Sequence, residues 1–378
     1  MTFINITPLR MAMAMLFISS QAVAGHGSST ESPFQVSGFA TVNYSISSSS
    51  TRYDRFIDSG GTFDASSILG IQGTYAFNPN TWATTQVALA SDEESDKGLR
   101  PVVRWAYLAH EFGDHWIAKL GRQRLNVYRN AENLEVGSTY NQATLPKEIY
   151  VNPGFLSSDA LSIRKRLFLT VDTHSEIGFS AGTKDTQSRA LGANGQTVSY
   201  HPYDLKGANV FGSHHFADQS AVFASHLEFE SNLLTPSGRV SGQGSLTSLA
   251  WESAPEVVQL ALEAALISFD QDLTLAGSGT QVPLPAFKSL GLSANATWLE
   301  SPYKPYLGYA RNITRVGQTF GQWSVKTGLS MRFDQQTILK AELLHVNASS
   351  NPPNIYFDAP AGSSQQANIL TLSLNRLF

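Results

Sequence analysis

Cysteine is absent from all 378 residues. Neither a disulfide nor a thiolate metal site can therefore hold this chain together, and an exported protein of this kind depends on its own hydrogen-bonded backbone. Long apolar runs are also missing beyond the first two dozen residues, which excludes a helical membrane protein, whose spans need about 20 apolar residues each. An excess of positive charge is lacking too: 26 bases face 30 acids, so nucleic acid is not an expected partner. No G-x-S-x-G elbow occurs, and the acidic cluster Asp92, Glu93, Glu94 and Asp96 lacks the glycine turn and terminal glutamate of a calcium loop.

What is present begins with an export signal. Arg10 supplies a positive n-region, Met11 to Ser19 an apolar stretch and Ala22-Val23-Ala24 a small-residue cleavage site, so residues 1–24 read as a signal peptide and 25–378 as the mature chain. Without Arg10, the mature part carries about −5 with histidine neutral. Along all of it, tracts of alternating apolar and polar residues recur with no break in composition, from Phe34–Ile46 to Gln365–Phe378. About sixteen such tracts can be drawn, the number of a large transmembrane antiparallel β-barrel, in which alternation keeps mean hydropathy low. Closure of the barrel pairs every strand edge.

The joints alternate in length. Asn78-Pro79-Asn80, Gly113-Asp114, Asp218-Gln219, Ser253-Ala254-Pro255, Ser301-Pro302 and Asp334-Gln335 read as short turns. Ser47–Gly61, Ser91–Arg100, Leu125–Asp159, Asp185–Gly207, Asp270–Pro285 and Asn347–Ser364 read as longer loops at the opposite end. Faces follow from parity. Trp323, Val325, Leu329, Met331 and Phe333 form an apolar stripe opposite Ser324, Lys326, Ser330 and Arg332, which places Lys326 and Arg332 in the lumen. Gln259, Glu263, Lys340 and Glu342 belong there by the same rule. Tyr75, Phe77, Trp82, Trp116, Trp298 and Tyr303 lie near the short turns, as an interfacial aromatic girdle does.

The final strand ends on Phe378. With the leader, the tract number and the motifs Arg104-Trp105-Ala106-Tyr107-Leu108, Gly121-Arg122-Gln123-Arg124-Leu125, Glu135-Val136-Gly137 and Glu148-Ile149-Tyr150, the chain resembles the Gram-negative outer-membrane porins. Arg376, third from the end, departs from their usual apolar residue. The resemblance implies a passive diffusion channel for small hydrophilic solutes and ions, without cofactor or metal. It also implies a homotrimer in the bacterial outer membrane, in contact with its lipids and lipopolysaccharide. It further implies that the loop after the fifth strand, here about 125–159, folds into the lumen and constricts it.

Solute selection in such a pore is set by width, desolvation and field. Arg104, Arg122, Arg124, Arg164 and Arg166 come from adjacent strands and form a candidate basic wall. Arg164 and Arg166 share a face opposite Ile163, Leu167 and Leu169. Arg122 and Arg124 share parity with Trp116 and Leu120, and need a bulge near Gly121 or a place above the membrane to face the lumen. Glu132, Glu135 and Glu148, with Arg129 and Lys147, populate the candidate constriction loop. A basic wall facing carboxylates predicts a transverse field and a mild anion preference; the same arginines also serve simply to pin the loop. The acidic cluster at 92–96 is either a solvated loop, a divalent-cation or lipopolysaccharide contact, or a latch to a neighbouring subunit. Other readings are a barrel hydrolase, for which histidines and serines abound but no triad is specified, and a non-conducting adhesin or structural barrel. Only Gly25 to Pro33 precede the first tract, too few for the plug of an energised receptor.

Overall fold

In the computed structural model of the chain, the described residues are 32–54, 56–91, 99–150, 157–191, 197–235, 237–255, 257–300, 302–349 and 365–378. The expected signal peptide and the acidic cluster at 92–96 lie outside them.

The strands are β1 (Phe34–Ser47), β2 (Ile68–Asn78), β3 (Thr81–Ser91), β4 (Leu99–Phe112), β5 (Trp116–Gln123), β6 (Ser158–Phe168), β7 (His174–Leu191), β8 (Thr197–His215), β9 (Ala221–Thr235), β10 (Gly238–Glu252), β11 (Val258–Leu275), β12 (Gln281–Pro283), β13 (Phe287–Trp298), β14 (Tyr303–Val316), β15 (Gln318–Arg332), β16 (Thr337–Ala348) and β17 (Gln366–Leu377). Every pairing is antiparallel between neighbours in the chain, and β1 closes the ring by pairing with both β2 and β17. The short β12 pairs with β11 and continues the stave that β13 completes. The barrel thus has sixteen staves. Phe378 helps seal the seam, accepting from Gly38 N at 2.6 Å and donating to Gly38 O at 3.0 Å.

Exposure follows the parity expected. On β15, Trp323, Val325 and Leu329 are exposed on the outside, whereas Ser324, Lys326 and Ser330 are buried inside; on β16, Leu339 and Leu343 point out, and Lys340 and Glu342 point in. A belt of exposed leucine, valine and aromatic side chains around a closed cylinder is stable only against another apolar phase. Trp82 departs from the expected girdle. It shares the inward parity of buried Thr84 and Gln86 and pairs with fully buried Ala109.

The loops differ more. Asp185–Gly207 is mostly a hairpin in which β7 and β8 stay paired as far as Leu191 and Thr197. β9 and β10 pair as far as Thr235 and Gly238. β14 and β15 turn on Gly317 alone, whose φ of +66° suits glycine. Several joints at this end are therefore tight, because the strands run on past the apolar belt and lose its signature. The β1–β2 connection instead folds inward, burying Tyr53, Ile57 and Ala65 on Val346, Ala367 and Ile369 of the inner wall.

Candidate functional site

Everything of interest in the lumen is organised by the long connection between β5 and β6, described over 124–150 and at 157. It is held on three sides. An apolar seat comes first: Leu125, Val127, Tyr128, Ala131, Leu145 and Ile149 pack on inward-facing Leu205, Leu227, Phe229, Leu246 and Ile267 of β8–β11. The greasy-outside rule inverts here, since Leu227 and Phe229 are buried inside while half-buried His226 and exposed Glu228 lie outside. Covering this much apolar surface is the main term that draws the loop inward. The hydroxyls of Ser225 and Ser248 complete the seat by donating to Val127 O at 2.8 and 2.7 Å.

A polar socket on β14–β16 holds the loop's tip. Lys340 Nζ donates to the carbonyls of Gly137, Tyr140 and Gln142 at 2.5, 2.6 and 2.7 Å. Lys326 donates to Thr144 O at 2.6 Å. Glu342, 1% exposed, accepts from Tyr306 OH at 2.8 Å, Ala143 N at 3.2 Å and Thr144 Oγ1 at 2.5 Å. Charge-assisted bonds of this kind satisfy loop backbone that has no strand partner. Gly291 on β13 is required where the loop passes closest, because a Cβ there would collide with the carbonyl of Glu148.

The third side is ionic and faces β4–β7. Arg104 has the outward parity of Ala106 and Leu108, yet it reaches Glu135 at 2.7 Å. The cause is a β-bulge: Gln86 pairs with Trp105 and Val87 with Val103, leaving Arg104 as the extra residue and turning it inward. Of the two alternatives for bringing Arg122 and Arg124 to the lumen, a bulge near Gly121 does not occur, and the bulge lies on the neighbouring strand. Arg124 lies one residue past the end of β5, is buried, and bonds the other oxygen of Glu135 and Ala131 O at 3.2 Å. Arg164 lies 3.9 Å from Glu132 and 3.4 Å from Glu176, and Arg166 lies 3.2 Å from Glu176.

Arg122 is a correction. It does not line the pore but lies on the outer face, next along from the exposed pair Leu120 and Leu161, in a bidentate pair with Asp159 at 3.0 and 2.9 Å. Strict alternation through Gly121 keeps it there, and the outward Asp159 compensates the charge. Two lumenal residues were missed, Lys119 and Glu176. Lys119 sits 3.9 Å from Glu132 and over the Tyr107 ring at 4.9 Å. Each lies beside an outward apolar residue, Leu120 or Ile177, so parity alone identifies both.

The candidate loop residues therefore divide by role. Glu132 and Glu135 face the basic wall. Arg129 pairs with Glu252, Lys147 with Asp54 at 2.9 Å, and Glu148 accepts from Gln322 at 2.8 Å. These three brace the loop. Burial raises the phenol pKa of Tyr128 and Tyr140. Burial and then the Glu263 carboxylate hold that of Tyr150 well above its ordinary value. The loop's tyrosines thus stay neutral, and Tyr150 donates to Glu263 at 2.5 Å.

Between the loop and the β1–β4 wall remains a polar cavity of about 270 Å³ that Arg104, Arg124, Glu135 and Lys147 border. Buried N–H groups of Arg104, Trp105, Arg124 and Arg164 have no partner among the described residues. No group of three or more His, Cys, Asp or Glu side chains suited to a metal occurs among the described residues. His214 and His215 point to opposite faces as expected, His214 bonding Ser175 at 2.7 Å and His215 stacking on His174 at 4.5 Å. Among the described residues no carboxylate bonds His214 in that serine pair.

No protein-family model and no curated protein matches the chain. Solved structures do. The outer membrane channel DcaP of Acinetobacter baumannii is 12% identical with a TM-score of 0.59, covering 91% of this chain and 97% of its own. OmpT of Vibrio cholerae, an outer membrane protein in trimer form, is 13% identical with a TM-score of 0.56 over 91% and 99%. An anion-selective porin from Comamonas acidovorans is 14% identical with a TM-score of 0.54 over 92% and 100%. At such identities the likeness is one of fold, and that fold is the porin-like outer-membrane barrel.

Proposed function

We propose that the protein is a passive diffusion channel of the bacterial outer membrane for small hydrophilic solutes, with a mild preference for anions, and that it performs no bond chemistry. The observation that carries this reading is the charge on one side of the loop. Arg104, Lys119, Arg124, Arg164 and Arg166 outnumber Glu132, Glu135 and Glu176. The apolar seat fills the β8–β11 side, so solute passes along the basic side. There, the excess of basic side chains compensates part of the lost hydration of a carboxylate or phosphate, and an apolar solute gains nothing. The loop 125–159 acts as the constriction, with Glu132 and Glu135 limiting how strongly an anion is held. A homotrimer is part of the proposal, supported by the trimeric OmpT fold neighbour. The test is conductance of the purified barrel in planar bilayers under a salt gradient. Discrete steps with an anion-signed reversal potential support the reading; absence of steps makes the barrel a closed scaffold, and a cation-signed potential removes the preference. Hydrolysis of phospholipid or peptide by the refolded chain would overturn the non-enzymatic part.

A further inference from the structure

The outside of β13 and β14 carries three bases that no described acid neutralises. Lys288 stands directly opposite Arg315, and Arg311 follows on the same face of β14, directly opposite Leu292. All three are exposed, and none makes an ion pair or a side-chain hydrogen bond with a described residue. Like charges at directly opposed positions on adjacent strands repel, so this arrangement is unfavourable unless an anion lies between them. Their height is also informative. Arg315 is two residues from the Gly317 turn, and Arg311 pairs with exposed Trp323, an aromatic of the kind that settles at a membrane interface. Leu292 is level with Arg311 and Leu290 lies between it and Lys288, and below Arg311 the wall is apolar at Leu307; all three leucines are exposed. The adjoining wall of β9–β11 is acidic on balance, with Glu228, Glu230, Asp270 and Asp272 exposed on outward positions against Arg239. The sign changes between neighbouring staves, since β11 pairs with β13 and Ser268, two residues before Asp270, stands opposite Lys288.

We propose that Lys288, Arg311 and Arg315 form a binding site for the phosphate groups of an anionic lipid headgroup in the outer leaflet, its acyl chains lying on Leu292 and Leu307. A phosphate between Lys288 and Arg315 converts a repulsive pair into two charge-assisted contacts, and Arg311 offers a planar fork to a second phosphate. The acids of the adjoining β11 disfavour the same headgroup and so bound the site on that side. The inference rests on the outer-membrane placement proposed above, but its test needs no conductance.

The full chain in non-ionic detergent is titrated with bisphosphorylated lipid A, with its dephosphorylated form and with inorganic pyrophosphate, and bound lipid is counted by native mass spectrometry. The K288Q/R311Q/R315Q variant is expected to bind bisphosphorylated lipid A at least about tenfold more weakly, and wild type to bind the dephosphorylated form with a similar loss. E228Q/E230Q is expected to bind as wild type does. If the triple variant does not assemble, R315Q alone is expected to lose about threefold. Unchanged binding by the triple variant, or by R315Q in its place, overturns the site. Equal binding of the dephosphorylated lipid overturns the role of phosphate, and displacement of lipid A by equimolar pyrophosphate makes this a soluble-anion site instead.

Discussion

Replacing Lys340 by methionine should release the tip of the lumenal loop without unfolding the barrel. Methionine keeps most of the side-chain volume but removes three donors that meet the carbonyls of Gly137, Tyr140 and Gln142, together with a contact over the Tyr140 ring at 4.6 Å. At about 1.5–3 kcal/mol for a bond to a charged group, the gross loss is roughly 5–9 kcal/mol. Part of that is offset because the ammonium no longer has to be buried. A net loss of about 3 kcal/mol remains reasonable for a broken buried charge contact, and it corresponds to roughly a hundredfold faster local opening. Hydrogen exchange followed by mass spectrometry reads this directly. Amides of 137–145 in K340M should exchange about a hundredfold faster, whereas those of β16 and β17, held by the ladder between Thr337 and Gln366, should not change. Exchange of the loop within about twofold of wild type would show that the apolar seat alone fixes the tip, and the socket argument would fail.

Glu135→Gln leaves Arg104 and Arg124 without their shared carboxylate and should raise the anion-to-cation permeability ratio roughly two- to fivefold; an unchanged reversal potential would mean that solutes do not pass this bracket. Gly291→Ala forces a Cβ onto the carbonyl of Glu148 and should destabilise the seated loop by about 1–3 kcal/mol, seen as faster exchange near 148. The raised phenol pKa values of Tyr128, Tyr140 and Tyr150 fix a sign: the neutral form is favoured in the seated loop. That contribution is complete below the ordinary tyrosine pKa of about 10 and declines as pH climbs from there toward the folded value. Loop protection should therefore be flat through neutral pH and fall above about pH 10, in step with tyrosinate absorbance; a fall near neutrality would point to other groups.

The barrel was legible wherever one face met lipid and the other water. Trp323–Phe333 and the tract ending at Phe378 declared their register because outward apolar and inward polar residues strictly alternate there. The signal fails where that contrast fails. Above the apolar belt, the sequences of β7 (Asp185-Thr186-Gln187-Ser188-Arg189) and β8 (Ser199-Tyr200-His201-Pro202) do not alternate apolar with polar residues, so their hairpin reads as loop. On β9 the pattern survives but reverses, because Leu227 and Phe229 cover a loop rather than lipid, and parity cannot tell the two apolar environments apart. Arg104 shows a further limit. A one-residue bulge turns it inward, and nothing in the alternation of β4 announces the insertion. Arg122, one residue beyond Gly121, obeys alternation and faces outward, where Asp159 compensates its charge. Lys119 and Glu176 obey the same rule, each facing inward beside an outward apolar residue, Leu120 or Ile177.

The central claim is that solutes cross this barrel along its basic side. The direct measurement is the single-channel reversal potential of the wild type and of R104Q/R164Q in the same salt gradient. The account predicts stepwise currents with an anion-signed potential that moves toward zero in the double variant. Currents of cationic sign in the wild type, or a potential unmoved by the two substitutions, would contradict it.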